Sequence, residues 1–471
     1  LAVDPGEALS ATLTLPPKGK LTLRAGATRV RIRAERGGDD LLVRRRDLGR
    51  NRLPLAQRLI VANSDGVTTV TLGAALMART ASRTVELRGA ASLTDHFASS
   101  ADDPVDRLAQ RAGMLHLARP PTQAYLGQGP DGRLHYRELR NWAAAFLPGL
   151  LWQVAAARAS DLHARWAMEE VRDLRRVALF GDADVGFVFW RAAALGRDLA
   201  CAAPTPALGL TPASCGHLRS LAEQAATRLL ERAAAAPLGL IPTTLDEAQC
   251  YQCLPGELRV IVDQLHNLPL LTESADPARR AVALGHARWV AANLMRPDGS
   301  VLQQAFVDRI TGAVRRAGNF QGLDDASVWA RGQAWAISGL ARAARDLEDP
   351  GLLEAAVRAA EWWLAHTTSG ALPRFDFSAV PDAPKDSSAQ AIAGAGLRIL
   401  ADRCAATGTC DAARYDAAAD VARATLVARL EPGPQLGRLG EGVYNIGGLR
   451  WDESAELPWG SDFLAELLLA E

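Results

Sequence analysis

Two aspartates in this chain of 471 residues lie in settings where a carboxyl group can do acid–base chemistry. Asp263 follows the apolar run "VIV" and is itself followed by "LPLL" five residues later, and Asp184 lies in "DADVGF". An apolar wall or a nearby like charge raises the pKa of a carboxyl group, so that it can act as a general acid near neutral pH. Each aspartate also opens a predicted helix, where such a residue is most often only a cap.

Aromatic and polar residues collect at other predicted helix starts. The stretch "SVWARGQAWAISG" brings Trp329, Arg331 and Trp335 close together, Gln321 lies just upstream, and Trp142 opens another helix. Tryptophan rings offer flat apolar faces to sugars, and an arginine can hold a carboxylate through two parallel hydrogen bonds. The pattern predicts a site for an acidic sugar, although tryptophan in an alanine-rich helix is usually a core residue. His266 and His286 are expected to be core or rim histidines rather than ligands.

Helical periodicity dominates from Pro104 onward, with no convincing strand between the helices. Proline, glycine, aspartate and serine are common at the starts, as caps and first turns require. Twelve helices are predicted to begin near Pro104, Asn141, Asp161, Asp184, Gly216, Asp263, Pro277, Ala326, Pro350, Asp386, Ala412 and Pro458. Six antiparallel pairs close naturally into an (α/α)6 toroid. The even-numbered helices carry the unusual residues, so we assign them to the inner ring, where six N-termini at one mouth favour an anion.

The first hundred residues follow a different pattern. Seven short alternating runs, separated by glycine, proline, asparagine and aspartate, predict a small β-sandwich. We therefore divide the chain into a β-sandwich accessory domain over residues 1–100 and a catalytic toroid over residues 101–471. No tryptophan, tyrosine or phenylalanine precedes Phe97, which favours a structural role for the first domain over a sugar platform.

Composition restricts the partners. Hydrophobic residues make up 48% of the chain, and 53 basic residues balance 53 acidic ones. This balance gives no electrostatic reason to expect nucleic acid or an anionic membrane as partner. The longest apolar run, residues 143–157, is too short to span a bilayer. We expect no metal or other cofactor, an acidic oligosaccharide as substrate, and leave a homodimer open.

The six cysteines fall into local pairs, Cys201 with Cys215, Cys250 with Cys253 and Cys404 with Cys410. An even number of cysteines in such pairs indicates disulfides and an oxidising compartment, so a periplasmic or secreted protein is expected. The alternative is a cytoplasmic enzyme with six unrelated thiols. Cys250 and Cys253 lack a second ligand pair with the spacing of a zinc site.

Five segments together resemble the unsaturated glucuronyl hydrolase family over about residues 104–471. They are "DVGFVF", "VIVDQLHNLPLL", "SVWARGQAWAISG", "DSSAQAIAGAGL" and "WGSDF", in the family's order and with similar spacing. The resemblance implies an (α/α)6 toroid that needs no metal and acts on oligosaccharides left by polysaccharide lyases. Such substrates carry a C4=C5 double bond in the terminal uronate, and the family hydrates this vinyl ether to release the aglycone.

The resemblance also implies roles for the residues above. Asp263 matches the general acid/base that protonates C4 and deprotonates the water adding at C5, and Asp184 matches the second essential carboxylate. The positions that match substrate contacts are Trp142, Gln321, Trp329, Arg331 and Trp335. The chain has Ala183, Phe320 and glutamine at 303 or 304 where the family usually has histidine. These positions lie around the substrate, so the resemblance does not define which uronide, linkage or sulfation pattern is recognised.

Two other functions fit the same pattern. A polysaccharide lyase acting on a uronate-containing glycan would need a base, and Tyr444 in "GVYN" is the tyrosine nearest a predicted inner-helix loop. Lyase action would create the ultraviolet chromophore of the double bond, whereas hydration removes it. The third reading is a non-catalytic protein that binds acidic glycans.

Overall fold

The structure is a computed structural model of the chain. It describes the backbone of eight strands before residue 95, and beyond them residues 103–120, 122–129, 132–175, 177, 183–201, 207–432, 437–446 and 449–470. Its contacts divide the chain into two compact units. One comprises Leu1–Pro120 with Leu430–Arg438, and the other Pro121–Arg429 with Leu439–Glu471. The predicted division between residues 100 and 101 stays a prediction.

The first unit contains two antiparallel four-stranded sheets. Threonine and β-branched residues alternate along their strands, as a pleated surface favours. In spatial order, one sheet comprises Leu59–Ser64, Val67–Leu72, Leu9–Thr14 and Ser92–Thr94, and the other Leu41–Leu42, Thr28–Ala34, Lys20–Ala25 and Glu86–Arg88. These strands lie at most of the predicted runs, while the packing of the sheets as a sandwich stays a prediction. The helix Pro104–Ala118 follows, with Asp103 Oδ1 accepting a hydrogen bond from Val105 N at 2.7 Å.

Six helical segments form the inner ring of the second unit. Each packs against the next, and the last packs against the first, which closes the ring. They are Phe146–Ala157; Val185–Phe189 continued by Trp190–Ala194 and Leu195–Cys201; Val262–Asn267 continued by Pro269–Thr272; Ala330–Leu347; Ser387–Thr407; and Pro458–Leu469. In the fourth, every residue from Ala330 to Ala344 is buried, as expected of a helix with neighbours on all sides.

The outer helices have one polar face, and side chains cap their first turns. Ser160, Thr211, Asp276, Asp349 and Asp411 accept the capping hydrogen bonds. In the second unit these helices are Asp161–Leu174, Pro212–Ala234, Pro277–Asn293, Pro350–His366 and Ala412–Val427. The alternation of inner and outer helices confirms the predicted toroid.

The expectation that no strand interrupts the helices was wrong. In the described part of the second unit, seven short strands lie among the helices, each too brief for its alternation to be recognised in the sequence. They are Gln123–Gln128, Leu134–Glu138, Glu257–Ile261, Gln304–Asp308, Val314–Gly318, Gly442–Ile446 and Leu449–Ala455. The third, fourth and fifth form an antiparallel sheet in that order. The first of these three runs directly into the turn that carries Asp263.

The predicted helix at Asp263 is also shorter than expected. Residues Val262–Asn267 form a 3-10 helix, and a single α-turn follows at Pro269–Thr272. Proline has no N–H to donate and is tolerated in a first helical turn, so Pro269 separates the two segments.

All three predicted cysteine pairs are disulfides in the structure, Cys201–Cys215, Cys250–Cys253 and Cys404–Cys410. Within the described part of the chain, no helix combines the length and the apolar character needed to cross a bilayer.

Candidate active site

Asp263 lies at the start of an inner segment, where the residue as a whole is partly exposed. The strand Glu257–Ile261 delivers it into the 3-10 helix, where Gln264 Oε1 accepts a hydrogen bond from Ile261 N at 3.0 Å. Its Oδ2 atom is buried and has no hydrogen-bond partner among the described residues. Burial raises the pKa of Asp263 to about 6, against the opposing effects of its own backbone N–H, Arg331 and Arg259. The group is suited to exchange a proton near neutral pH.

Asp184 lies immediately before the helix Val185–Phe189 but makes no side-chain capping hydrogen bond to it. That helix is fixed to the turn carrying Asp263 because Phe187 N donates to Asn267 Oδ1 at 2.6 Å. Gly186 permits the approach, since a Cβ atom there would lie 2.7 Å from both the Cβ and the Oδ1 of Asn267. The glycine and the asparagine of the two motifs therefore hold the two carboxylate-bearing segments together.

A second arginine near these carboxylates, Arg259, was not predicted from the sequence. Burial lowers the pKa of its guanidinium, and the negative charges of Asp184 and Asp263 act in the opposite direction. Both acids are thus within electrostatic range of one cation. The available signal was its place in the strand "ELRVI", four residues before Asp263, where alternation puts Arg259 and Ile261 on one face.

Arg331 is already engaged by protein groups. Its Nη1 donates to Asp386 Oδ2 at 2.5 Å, to Ser388 Oγ at 3.2 Å and to Val443 O at 2.9 Å. Its Nη2 donates to Gln321 Oε1 at 3.3 Å. The predicted bidentate grip on a substrate carboxylate would have to compete with this network. Arg331 still acts on the site through its charge, which lowers the pKa of Asp263.

Rings surround this arginine and line the interior beside it. The guanidinium carbon of Arg331 lies 4.6 Å from the ring centroid of Trp329 and 5.4 Å from that of Trp459. Trp142 is 4.5 Å from Trp459, centroid to centroid, and 6.5 Å from Trp335. Of the predicted sugar contacts, Trp142 is partly exposed, whereas Trp335 is fully buried.

A small aromatic layer lies against Trp335. The ring of His266 is 4.6 Å from Trp335 and 5.3 Å from Phe187, and its Nε2 is 3.2 Å from Ser338 Oγ. Burial holds the pKa of His266 well below its usual range, so this histidine is neutral. His286 is likewise buried, with its Nδ1 accepting a hydrogen bond from Ile241 N at 3.2 Å. Both are the core histidines expected from the sequence.

Gln321 is held by a glutamine that the sequence did not single out for this role. Gln303 Oε1 accepts hydrogen bonds from the backbone N–H groups of Phe320 and Gln321, each at 2.9 Å. Gln303 is buried, so its amide fixes the loop before the helix Ala330–Leu347. Gln333, the glutamine of "RGQAW", is structural instead, because its Nε2 donates to Gly299 O and Ala359 O.

The predicted site residues thus form connected groups. Arg331 contacts Gln321 and Trp329 and acts on Asp263 through its charge. The charge of Arg259 interacts with those of both Asp263 and Asp184. Their catalytic and binding roles stay predictions. Among the described residues, no cluster of three histidine, cysteine or acidic side chains is arranged to hold a metal ion.

Known proteins with this sequence pattern and geometry are unsaturated uronide hydrolases. The unsaturated glucuronyl hydrolase of Bacillus sp. (strain GL1) is 35% identical over 221 residues, which cover 45% of this chain and 58% of that protein. The unsaturated chondroitin disaccharide hydrolase of Streptococcus pyogenes serotype M1 is 30% identical over 223 residues, 45% of this chain and 55% of that protein. The matched segments therefore span little more than half of these relatives. No family model matches the chain.

Solved structures extend the likeness over the helical part. The crystal structure of the unsaturated glucuronyl hydrolase from Bacillus sp. GL1 superposes with a TM-score of 0.66 and 26% identity, covering 78% of this chain and 94% of that one. A heparin-specific unsaturated glucuronyl hydrolase superposes with a TM-score of 0.63 at 22% identity, covering 78% and 95%. In sequence and in fold, this chain is therefore similar to unsaturated glucuronyl hydrolases.

Proposed function

We propose that the protein is a glycoside hydrolase that removes a terminal C4=C5 unsaturated uronate from lyase-generated oligosaccharides. The observation that carries the proposal is the carboxyl group of Asp263, whose Oδ2 is buried and unpartnered among the described residues and whose pKa is raised to about 6. Such a group keeps a proton close to neutral pH and has an oxygen available for a substrate or a water. A solved relative with 25% identity carries the unsaturated oligosaccharide dGlcA-Glc-Rha-Glc.

In the proposed reaction, Asp263 gives its proton to C4 of the vinyl ether while a water oxygen bonds to C5. The resulting carboxylate accepts one proton from that water, which restores Asp263 and leaves a hemiketal. Opening of the hemiketal expels the aglycone as an alcohol, so that one water molecule is consumed for each bond broken. Arg259 lowers the pKa of Asp263 through its charge, and Asp184 in turn acts on the charge of Arg259.

The test is direct because the double bond absorbs ultraviolet light. Incubation with a panel of lyase-generated unsaturated disaccharides should remove that absorbance, and Asp263→Asn should abolish the decay while circular dichroism stays native. Asp276→Asn, which changes an exposed capping aspartate of the helix Pro277–Asn293, is the matched control and should keep full activity. Absorbance that persists with the unaltered protein across the whole panel would contradict the proposal.

The lyase alternative is less well supported by the predicted base. Tyr444 is buried, and burial raises the pKa of its hydroxyl, which makes a tyrosinate base harder to form. A lyase would also generate the absorbance that the proposed hydrolase consumes, so the same assay separates the two activities.

We further propose a periplasmic or secreted location for the protein. Three local disulfides support an oxidising compartment, since cytosolic reductants keep thiols reduced. Mass spectrometry of protein purified from its native host tests this, because reductant should increase the mass by six hydrogen atoms, two for each disulfide. A homodimer remains a prediction that light scattering would check.

A further inference from the structure

The site contains a cation that forms no ion pair with a carboxylate among the described residues. Arg331 forms a buried ion pair with Asp386 at 2.5 Å. The side chain of Arg259, in contrast, makes a single hydrogen bond in the described part of the chain, from its Nε to Thr243 Oγ1 at 3.4 Å. Its Nη1 is buried without a hydrogen-bond partner among the described residues. A buried guanidinium donor left unsatisfied is costly, so this arrangement favours an incoming acceptor.

Two aromatic rings fix the position of the Arg259 guanidinium. Its central carbon lies 5.4 Å from the ring centroid of Phe320 and 5.6 Å from that of Tyr251. Arginine stacks readily on aromatic faces, and this leaves the edge of the planar group available for hydrogen bonding. Phe320 adjoins Gln321, and Tyr251 is half exposed, so the guanidinium lies between the interior of the site and solvent.

The backbone places Arg259 beside the reacting groups. Its strand pairs with Gln304–Asp308, with Arg259 opposite Phe306, and its carbonyl accepts a hydrogen bond from Thr243 N at 2.8 Å. Four residues later the same segment reaches Asp263. The guanidinium is therefore fixed on a rigid sheet rather than on a mobile loop, as a specificity-determining contact requires.

We infer that Arg259 binds an oxyanion of the substrate through hydrogen bonds from its free guanidinium edge. The inference rests on the proposed function and assigns to Arg259 the anion recognition that the sequence pattern gave to Arg331. The oxyanion is either the carboxylate of the terminal unsaturated uronate or a sulfate on the adjoining sugar, because both present oxygens that match a guanidinium.

Binding measurements on an inactive background test this inference. Calorimetry would compare Asp263→Asn with the double variant Asp263→Asn/Arg259→Met, using an unsulfated unsaturated disaccharide, its uronate methyl ester and a sulfated analogue. Loss of a charge-assisted contact should weaken binding roughly 10- to 100-fold. If the uronate carboxylate is the ligand, Arg259→Met weakens binding of the acid but barely affects the ester. If sulfate is the ligand, Arg259→Met weakens binding of the sulfated analogue and leaves the affinities for the unsulfated disaccharide and its ester unchanged.

Arg315→Met is the matched control, because Arg315 lies in the same sheet, is exposed, and pairs with Asp308 instead. It should leave all three affinities unchanged, and Arg259→Lys should restore part of the affinity lost in Arg259→Met. Equal weakening for acid, ester and sulfated compound would overturn the inference, since it would indicate a general structural defect. Turnover by the unaltered protein is measured in parallel, so an inactive protein that still discriminates acid from ester would refute the proposed hydrolysis alone.

Discussion

Arg331 and Asp386 form an ion pair in the interior of the helical ring, with Nη1 and Oδ2 separated by 2.5 Å and side-chain exposures of 1% and 0%. The carboxylate also caps the helix Ser387–Thr407 by accepting a hydrogen bond from Ser388 N at 3.1 Å. One side chain thus starts an inner helix and neutralises the arginine of "WARGQAW". The pair moderates the positive field that Arg331 exerts on Asp263.

We expect Asp386→Asn to destabilise the protein by about 3–5 kcal/mol, because it leaves Arg331 as a buried charge without its counterion. Asparagine retains the capping oxygen, so the loss reports the ion pair rather than the cap. In the folded variant the unbalanced cation should also lower the pKa of Asp263. Urea denaturation gives the first effect, and a shift of the alkaline limb of kcat/KM towards lower pH gives the second.

Asp349→Asn is the control for that substitution. Asp349 also caps a helix and lies 2.5 Å from an arginine, but the partner Arg288 is 62% exposed. Exposed ion pairs contribute roughly 0–1 kcal/mol to the free energy of unfolding, so Asp349→Asn should lower that free energy by less than about 1 kcal/mol. Equal losses in the two variants would show that burial of the Arg331–Asp386 pair has no energetic consequence.

Replacing the proposed acid should stabilise the fold at neutral pH. The folded-state pKa of Asp263 is about 6, against an ordinary value of 3.8, so the folded protein binds this proton more tightly than the unfolded chain does. Stability is therefore lost as pH rises through this interval, by at most about 3 kcal/mol. Asp263→Asn escapes the loss and should unfold at higher urea than the parent at about pH 7.5, with the difference vanishing near pH 3. A variant less stable at both pH values would contradict this.

Activity should decline as pH rises above about 6. The proposed first step needs the protonated carboxyl group, and burial keeps Asp263 protonated up to that range. The profile of kcat/KM against pH, followed by absorbance decay, should therefore show an alkaline limb with a midpoint near 6. A flat profile between about pH 5 and pH 8 would exclude Asp263 as the proton donor.

The sequence predicted the helix order and the inner ring well, because caps, prolines and apolar periodicity are local signals. It could not predict the contacts that tune the site. Gln303 and Asn267 act on residues 17 to 80 positions away in the chain, and nothing in their immediate neighbours distinguishes them from ordinary polar residues. Arg259 has a local signal in its strand, but its relation to Asp184 is equally distant in the chain. The same limit explains why the sequence did not predict the ion pair of Arg331, since its partner Asp386 is 55 positions away in the chain.

A second buried charge cluster on the inner helices should matter for stability rather than for binding. Glu466 accepts hydrogen bonds from Arg191, at 2.8 Å, and from Arg342. Burial opposes ionisation of Glu466, but the two arginines outweigh it and lower its pKa to about 2. The stability that ionised Glu466 contributes is present above about pH 4.5 and is lost as pH falls towards 2. Glu466→Gln should cost about 3–5 kcal/mol at pH 7, and the cost measured by urea denaturation should shrink in acid.

Glu231→Gln serves as the comparison, because Glu231 pairs with Arg228 on an outer helix where both side chains are exposed. Its free energy of unfolding should change by less than about 0.5 kcal/mol at any pH. A loss in Glu466→Gln that does not diminish on acidification would mean that the ionised carboxylate is not the stabilising species.

The last prediction concerns the glycine between the two carboxylate-bearing segments. A Cβ atom at Gly186 would lie 2.7 Å from Asn267 and from Leu229, so Gly186→Ala must push the helix after Asp184 away from the turn of Asp263. Overpacking of this kind costs about 1–3 kcal/mol. The displacement should lower kcat even where urea titration shows the protein folded. Gly285→Ala, on an outer helix with open space around it, should instead gain about 0.5–1 kcal/mol and keep full activity. A fully active Gly186→Ala variant would show that the spacing of the two carboxylates does not limit turnover.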